Sequence, residues 1–281
     1  MTALQNRPAA VDVGEEAPSV SGMRLFRDVV ASEWMKLRTI RSTYGFVLGA
    51  VVVAVFGMLA LFFLIQSFDQ ATPAEQANYE VAEPTVVVMP FVMFFISCIG
   101  GMLITSEFTS GSIGPGLLAV PQRWILLAGK GAVAASVGLV SGFLFSLLAT
   151  IGAMAMLGDR PAPLNPWPAW TDAIPIVLTA GVVVLVASLV ALGFGALLRS
   201  TAGALLTMGG LIMVAPVFAH FLPTTWQLRV GSVLLPNLIP QLAGVGNPYL
   251  LSQVGAAAVL ALYLLLALGA GAVTFRRRDA A

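Results

Sequence analysis

Residues 44–65 read YGFVLGAVVVAVFGMLALFFLI, an apolar run without one Asp, Glu, Lys, Arg or His. A helix needs ~20 such residues to cross ~30 Å of hydrocarbon. Arg41 stands just before the run and Asp69 just after it, so its ends are marked by charge. Working outward, apolar stretches without Asp, Glu, Lys or Arg recur at residues 85–105, 131–157, 173–198, 203–221 and 250–275. The reading is an all-α membrane protein with six transmembrane helices in a single domain over residues 23–281. Pro90 and Ser97 in the second span and Pro216 in the fifth predict that these two are bent or partly re-entrant.

The composition agrees. The 281 residues are 58% hydrophobic and 10% charged, and mean hydropathy is +0.94. Soluble domains run roughly 45–50% apolar and about 25% charged. One Cys excludes an internal disulfide framework, and a net charge of +1 gives no bulk affinity for nucleic acid. Residues 1–22 are polar and contain Pro8, Gly14 and Pro18. They read as a flexible cytoplasmic tail rather than a secretory leader.

Basic residues orient the spans. With six passes both termini share a side, and every Lys and Arg of the 14 except Arg160 and Arg229 falls there. Both termini are therefore expected in the cytoplasm of a multi-pass plasma-membrane protein. The first outer loop holds Asp69, Glu75, Glu80 and Glu83 and no base. The second is a proline string, Pro161, Pro163, Pro166 and Pro168, with Trp167 and Trp170 expected to anchor at the interface. The third, residues 222–249, reads as a short helix or hairpin at the outer surface. Glycines four apart, Gly45 with Gly49 and Gly138 with Gly142, are the spacing that lets helix backbones approach.

No ionisable residue sits near the middle of a span, which argues against ion coupling. His220 has no partner for metal or protease chemistry and reads as interfacial; Cys98 reads as a packing residue. Gly129-Lys130 is followed by Gly131 and preceded by Trp124 where a phosphate-binding loop needs Ser or Thr and Gly. No catalytic, cofactor-binding or metal site is assigned, and any energy for work must enter through another polypeptide.

Two segments beside the spans carry pattern. Over residues 23–42, Leu25, Phe26, Val29, Val30, Trp34, Leu37 and Ile40 recur at steps of mainly three and four, with Arg24, Arg27, Lys36, Arg38 and Arg41 over much of the remainder and Asp28 and Glu33 interspersed. That is an amphipathic basic helix, expected in the inner interface against anionic lipid. Its simpler reading is a soluble helix whose bases set topology. The other segment closes the second span with Glu107, continues through Gly111, Pro115, Leu118, Pro121 and Arg123, and opens the third span with Lys130.

A glutamate closing span two, a glycine four later, a short Leu-containing stretch, a Pro-x-Arg and a lysine opening span three resemble the coupling-helix region of permease subunits in type-2 ATP-binding-cassette (ABC) exporters. Ser32-Glu33-Trp34-Met35-Lys36-Leu37-Arg38 is similar to the pre-span helix of that family's actinobacterial members. The likeness covers nearly the whole chain, mostly as topology. It implies the type-2 ABC exporter permease fold in a bacterial plasma membrane, with a second permease copy or paralogue as partner and a separate ABC ATPase subunit holding ATP and magnesium. This chain would itself bind no cofactor and would not be an enzyme. Glu107, Gly111, Pro115, Leu118, Pro121, Arg123 and Lys130 are then candidates for coupling to the ATPase, and Glu33, Trp34, Lys36, Arg38 and Arg41 for the interfacial helix. Arg123 and Lys130 would pair with Glu107, with acidic ATPase residues or with lipid phosphate; otherwise they are topology anchors and Glu107 caps a loop. Gly114-Pro115-Gly116 departs from the family pattern, since Gly and Pro are poor helix-interior residues. Proline suits a first turn, so the coupling helix is expected to run from near Pro115 to Val120, or to be shortened or kinked. The apolar spans suit a hydrophobic or amphiphilic cargo. The alternative is a non-transporting sensor or anchor subunit of a membrane complex.

Overall fold

The computed structural model describes residues 21–79, 81–120, 122–167, 169–244 and 249–277. Nearly all of the expected tail, and the candidate Pro121, lie outside them. Twelve α-helices occur among the described residues, with no strand. They are α1 (Gly22–Thr39), α2 (Arg41–Gln70), α3 (Pro73–Gln76), α4 (Pro84–Ser110), α5 (Ile113–Ala119) and α6 (Arg123–Leu157), then α7 (Ile174–Leu198), α8 (Thr201–Gly209), α9 (Ala215–His220), α10 (Thr224–Val233), α11 (Leu238–Ala243) and α12 (Gln253–Arg277). Six passes are long and apolar enough to cross a membrane: α2, α4, α6, α7 with the turn before it, α8 joined to α9, and α12. This is the architecture of an all-α multi-pass membrane protein. Each expected span is present, and α6 starts earlier than expected, at Arg123, so that Lys130 lies inside the helix.

Burial ranks the passes. Within an 18-residue apolar stretch of each pass, 72% of residues are buried in α7 and 67% in α4, against 22% in α2, in α8–α9 and in α12. The first two therefore form the centre, and the others present apolar side chains such as Phe56, Phe63, Val140, Phe218 and Leu265 outward. Close approach to α7 depends on missing side chains. A Cβ on Gly100 of α4 would lie 2.4 Å from the Ser188 carbonyl oxygen, and one on Gly138 of α6 would lie 2.8 Å from Leu185 Cα. Gly142 meets Val184 and Gly181 in the same seam, so the Gly138/Gly142 pair is a packing surface. Of the other pair, Gly49 abuts the Phe95 ring while Gly45 meets nothing.

The two proline-bearing spans differ. Pro90 falls in the second turn of α4, which runs unbroken. Between α8 and α9, residues Gly210–Val214 form a π turn, and Ala215 N–H bonds to the Gly210 carbonyl. Pro216 follows with no N–H and a ring that clashes with the carbonyl four residues back, and a wide turn relieves this. Between α7 and α8 the chain reverses through Arg199, held left-handed at φ 51°, and Ser200, whose hydroxyl accepts from Gly203 N–H.

Two outer-loop expectations are corrected. Trp167 is buried at 2% exposure, not interfacial; Trp170 at 67% does face outward. The third outer segment lies only partly on the surface. The first turns of α10 are exposed, but Leu235, Leu238 and Ile239 are buried and the segment packs on α7. Irregular backbone at this depth needs internal partners. Gln241 supplies several, donating to the Ser232 and Asn237 carbonyls and accepting from Leu251 N–H, while Ser232 Oγ accepts from Leu250 N–H.

Candidate functional site

Three elements converge on the face that carries α1. Helix α1 starts at Ser21, whose hydroxyl accepts from Arg24 N–H, and ends at extended Ile40 before α2 begins. Its buried positions are Val29, Glu33 and Leu37, four residues apart and hence on one stripe. Glu33 thus belongs to the apolar face and not to the polar remainder. The stripe packs on α6, where Gly129 makes room: a Cβ there would lie 2.4 Å from Val29 Cγ1.

Glu33 meets Lys130 of α6, which is fully buried. Lys130 Nζ donates to Glu33 Oε2, Glu107 Oε1 and the Leu103 carbonyl, each at 2.8 Å. All three ammonium donors are thereby satisfied. Lys36 Nζ donates to Glu33 Oε1 and Glu107 Oε1, both at 2.7 Å. Two carboxylates and two ammoniums form a closed, neutral network joining α1, α4 and α6. Lys36 is half-exposed, and burial alone would lower its pKa. The hydrogen bonds from its ammonium to Glu107 and Glu33 outweigh that and hold it above the ordinary lysine value. Glu107 Oε2 is buried and without a hydrogen-bond partner. An unpaired buried acceptor destabilises by about 1–3 kcal/mol. Glu107 also lines a groove of ≈ 340 Å³ with Lys36, Ser42, Ser106, Ser110 and Ser112.

Beyond Glu107 the chain leaves α4 at Gly111, which takes φ 72°, a left-handed C-cap that an L side chain rarely adopts. Helix α5 then runs from Ile113 to Ala119, so it starts before Pro115 and stops short of Val120. Pro115 occupies its third position, within the first turn, where its missing N–H removes no helical bond. Ile113 is buried, whereas Leu118 is 84% exposed, and Trp124 at the start of α6 is 62% exposed. Arg123 turns back into the protein, its Nη1 donating to the Phe275 carbonyl at 3.0 Å. Trp34 and Arg38 of α1 and Arg41 at the start of α2 are exposed.

The structure therefore gathers Glu33, Lys36, Glu107 and Lys130 into one cluster, and leaves Leu118, Trp34, Arg38 and Arg41 on the surface of the same face. Sequence reading missed Glu33 as the hub, although a glutamate four residues from Val29 and from Leu37 was the available signal. It also missed Arg199, whose guanidinium lies 5.1 Å from the centre of the Phe108 ring, adjoining the root of α5. No group of three His, Cys, Asp or Glu side chains able to hold a metal occurs among the described residues. His220 Nδ1 pairs with Gln227 Nε2 at 3.1 Å. No family model matches the chain, and no curated protein matches it.

Proposed function

We propose that this chain is the membrane-spanning permease subunit of an ABC exporter, driven by a separate ATPase subunit that docks on the face of α1 and α5. The observation that carries the reading is the buried four-charge network at the root of α5. A short helix with an exposed Leu118 is a surface for a partner. Its attachment through Glu107 to Lys130, Glu33 and Lys36 ties any displacement of α5 or α1 to α4 and α6. Those helices close on α7 through glycine contacts, so the push is passed to the centre of the molecule without a flexible link. The nearby groove, lined by Glu107, Lys36 and four serines, offers polar groups to a partner from outside the chain.

On this reading the α1 face is cytoplasmic in a bacterial plasma membrane, and ATP and magnesium stay on the partner. The outward apolar faces of α2, α8–α9 and α12 meet lipid and a second permease copy or paralogue. Apolar spans fit a hydrophobic or amphiphilic cargo.

The test is a pull-down of tagged protein in mild detergent, read by mass spectrometry and ATP hydrolysis. Wild type is expected to bring down an ATPase. Leu118→Asp, which changes an exposed side chain, should lose it while keeping the melting temperature of wild type. Glu107→Ala and a helix-forming replacement of residues 114–116 should weaken recovery as well. Failure of any nucleotide-hydrolysing protein to copurify with wild type would overturn the reading.

A further inference from the structure

On the opposite face, a cleft of ≈ 430 Å³ opens between α2, the start of α4 and residues 236–240. Ligand sites fall in the range of about 300–1,000 Å³. Its floor is buried, with Leu61, Thr85 and Ile239 at 1–3% exposure, and its rim is exposed at Val81 and Val86. Pro236 and Pro240 form one wall; their fixed φ angles keep it preformed. Among these aliphatic surfaces stands one carboxylate, Glu83. The Thr85 hydroxyl donates to it, and it makes no ion pair among the described residues. The other acids on this face among the described residues are differently placed. Asp69 is held by Arg160 in two hydrogen bonds of 2.7 Å, Glu75 and Asp172 cap local backbone, and Asp159 is exposed.

We propose that this cleft binds a hydrophobic monocation, its charge beside Glu83 and its apolar body between α2 and the proline wall. An ionised carboxylate in an apolar cleft lacks solvation, and a cation that brings its own apolar surface restores it while filling the walls. Burial accordingly raises the Glu83 pKa, the direction expected of an acid awaiting a counter-charge. A hydrated metal ion fits poorly: the cleft holds a single carboxylate, and its aliphatic walls would stay empty. Tyr249 also lines the cleft. As a binding site this stands without the transport reading; that the ligand is the cargo rests on it.

The probe is radiolabelled tetraphenylphosphonium, with tetraphenylborate as its near-isosteric anion, each titrated separately against the full chain in nanodiscs and against empty nanodiscs. The expected result is saturable phosphonium binding that borate does not share. Glu83→Gln, which keeps an acceptor for Thr85, should weaken it about tenfold, the scale of one lost charge-assisted contact. Glu83→Asp should retain part of the affinity, and Val86→Trp at the rim should block the cleft. Asp69→Asn, which removes a carboxylate elsewhere on the same face, should leave binding unchanged. Equal binding of borate, or unaltered phosphonium binding in Glu83→Gln, overturns the proposal. So does a loss in Asp69→Asn that matches the loss in Glu83→Gln, because a diffuse surface charge would then explain both. ATPase recovery is read independently on wild type: no saturable phosphonium binding with intact ATPase recovery sinks the cleft alone, and saturable binding without any ATPase recovery sinks the coupling alone.

Discussion

Lys130 is the residue on which the α1 face turns. Its ammonium is fully buried and its three donors are used. Removing one partner from such a network leaves uncompensated buried charge, at about 3–5 kcal/mol, whereas the intact network adds little over a well-packed apolar substitute. Lys130→Met should therefore lower stability in detergent by about that amount, measured by thermal unfolding. Glu33→Gln in the Lys130→Met background should add less than it does alone, because the two residues share one network. The same unfolding measurement has a pH signature through Lys36. Its folded pKa lies above 10.5, so its contribution is complete below the unfolded lysine value and is lost as pH rises through the folded one. The difference between wild type and Lys36→Met should hold steady from neutral pH to about 10 and shrink above that range.

At the scale of elements, α1 is fixed to the bundle along one stripe. Its stripe of Val29, Glu33 and Leu37 is buried against the bundle, and only the opposite side offers Trp34 and the arginines outward. Contact requires a glycine at 129. Gly129→Ala should push α1 away from α6, since the added Cβ would sit 2.4 Å from Val29 Cγ1 and valine is stiff at χ1. Val29→Ala should restore the docking in the double variant. Hydrogen exchange over residues 22–39 reads this directly: faster in Gly129→Ala, near wild type in the pair. Faster exchange in both variants alike would mean that the helix, not the contact, was weakened. Helix α5 is different, because seven residues with two glycines have little intrinsic helicity. It is held by its neighbours and by the left-handed turn at Gly111.

The whole molecule is organised around α7, which α4, α6 and α12 approach through glycines. In lipid, apolar helices gain nothing by hiding from water, so close van der Waals contact decides association. Gly193 of α7 faces the Ala267 carbonyl oxygen of α12, with 2.4 Å for an added Cβ. Gly193→Ala should lower the unfolding temperature in detergent through overpacking, on the order of 1–3 kcal/mol. Gly45→Ala on the outer side of α2 meets nothing within 4 Å, and it should be neutral or slightly stabilising. If the two variants behave alike, the contact seams do not set stability.

The six passes were legible in the sequence because inserting an apolar stretch of about 20 residues depends almost wholly on that stretch. Residues 44–65 carry their own answer, as do the stretches that became α7 and α12. Glu107 and Lys130 were legible as candidates because each charge adjoins an apolar run. Their partners were not. Glu33 and Lys130 are 97 residues apart, and no local pattern says which of several bases will reach a given acid. Trp167 misled for the same reason: a tryptophan beside prolines suits an interface or an interior equally, and the burial of the 160s loop decided it. The irregular outer segment hung on Gln241 and Ser232, whose bonds span residues 228–251. Hydrophobic transfer is local and additive, so sequence alone determined how often this chain crosses a bilayer. Ion pairing, glycine seams and clefts need atoms from distant helices within a few ångströms, and only the tertiary structure decided which ones meet.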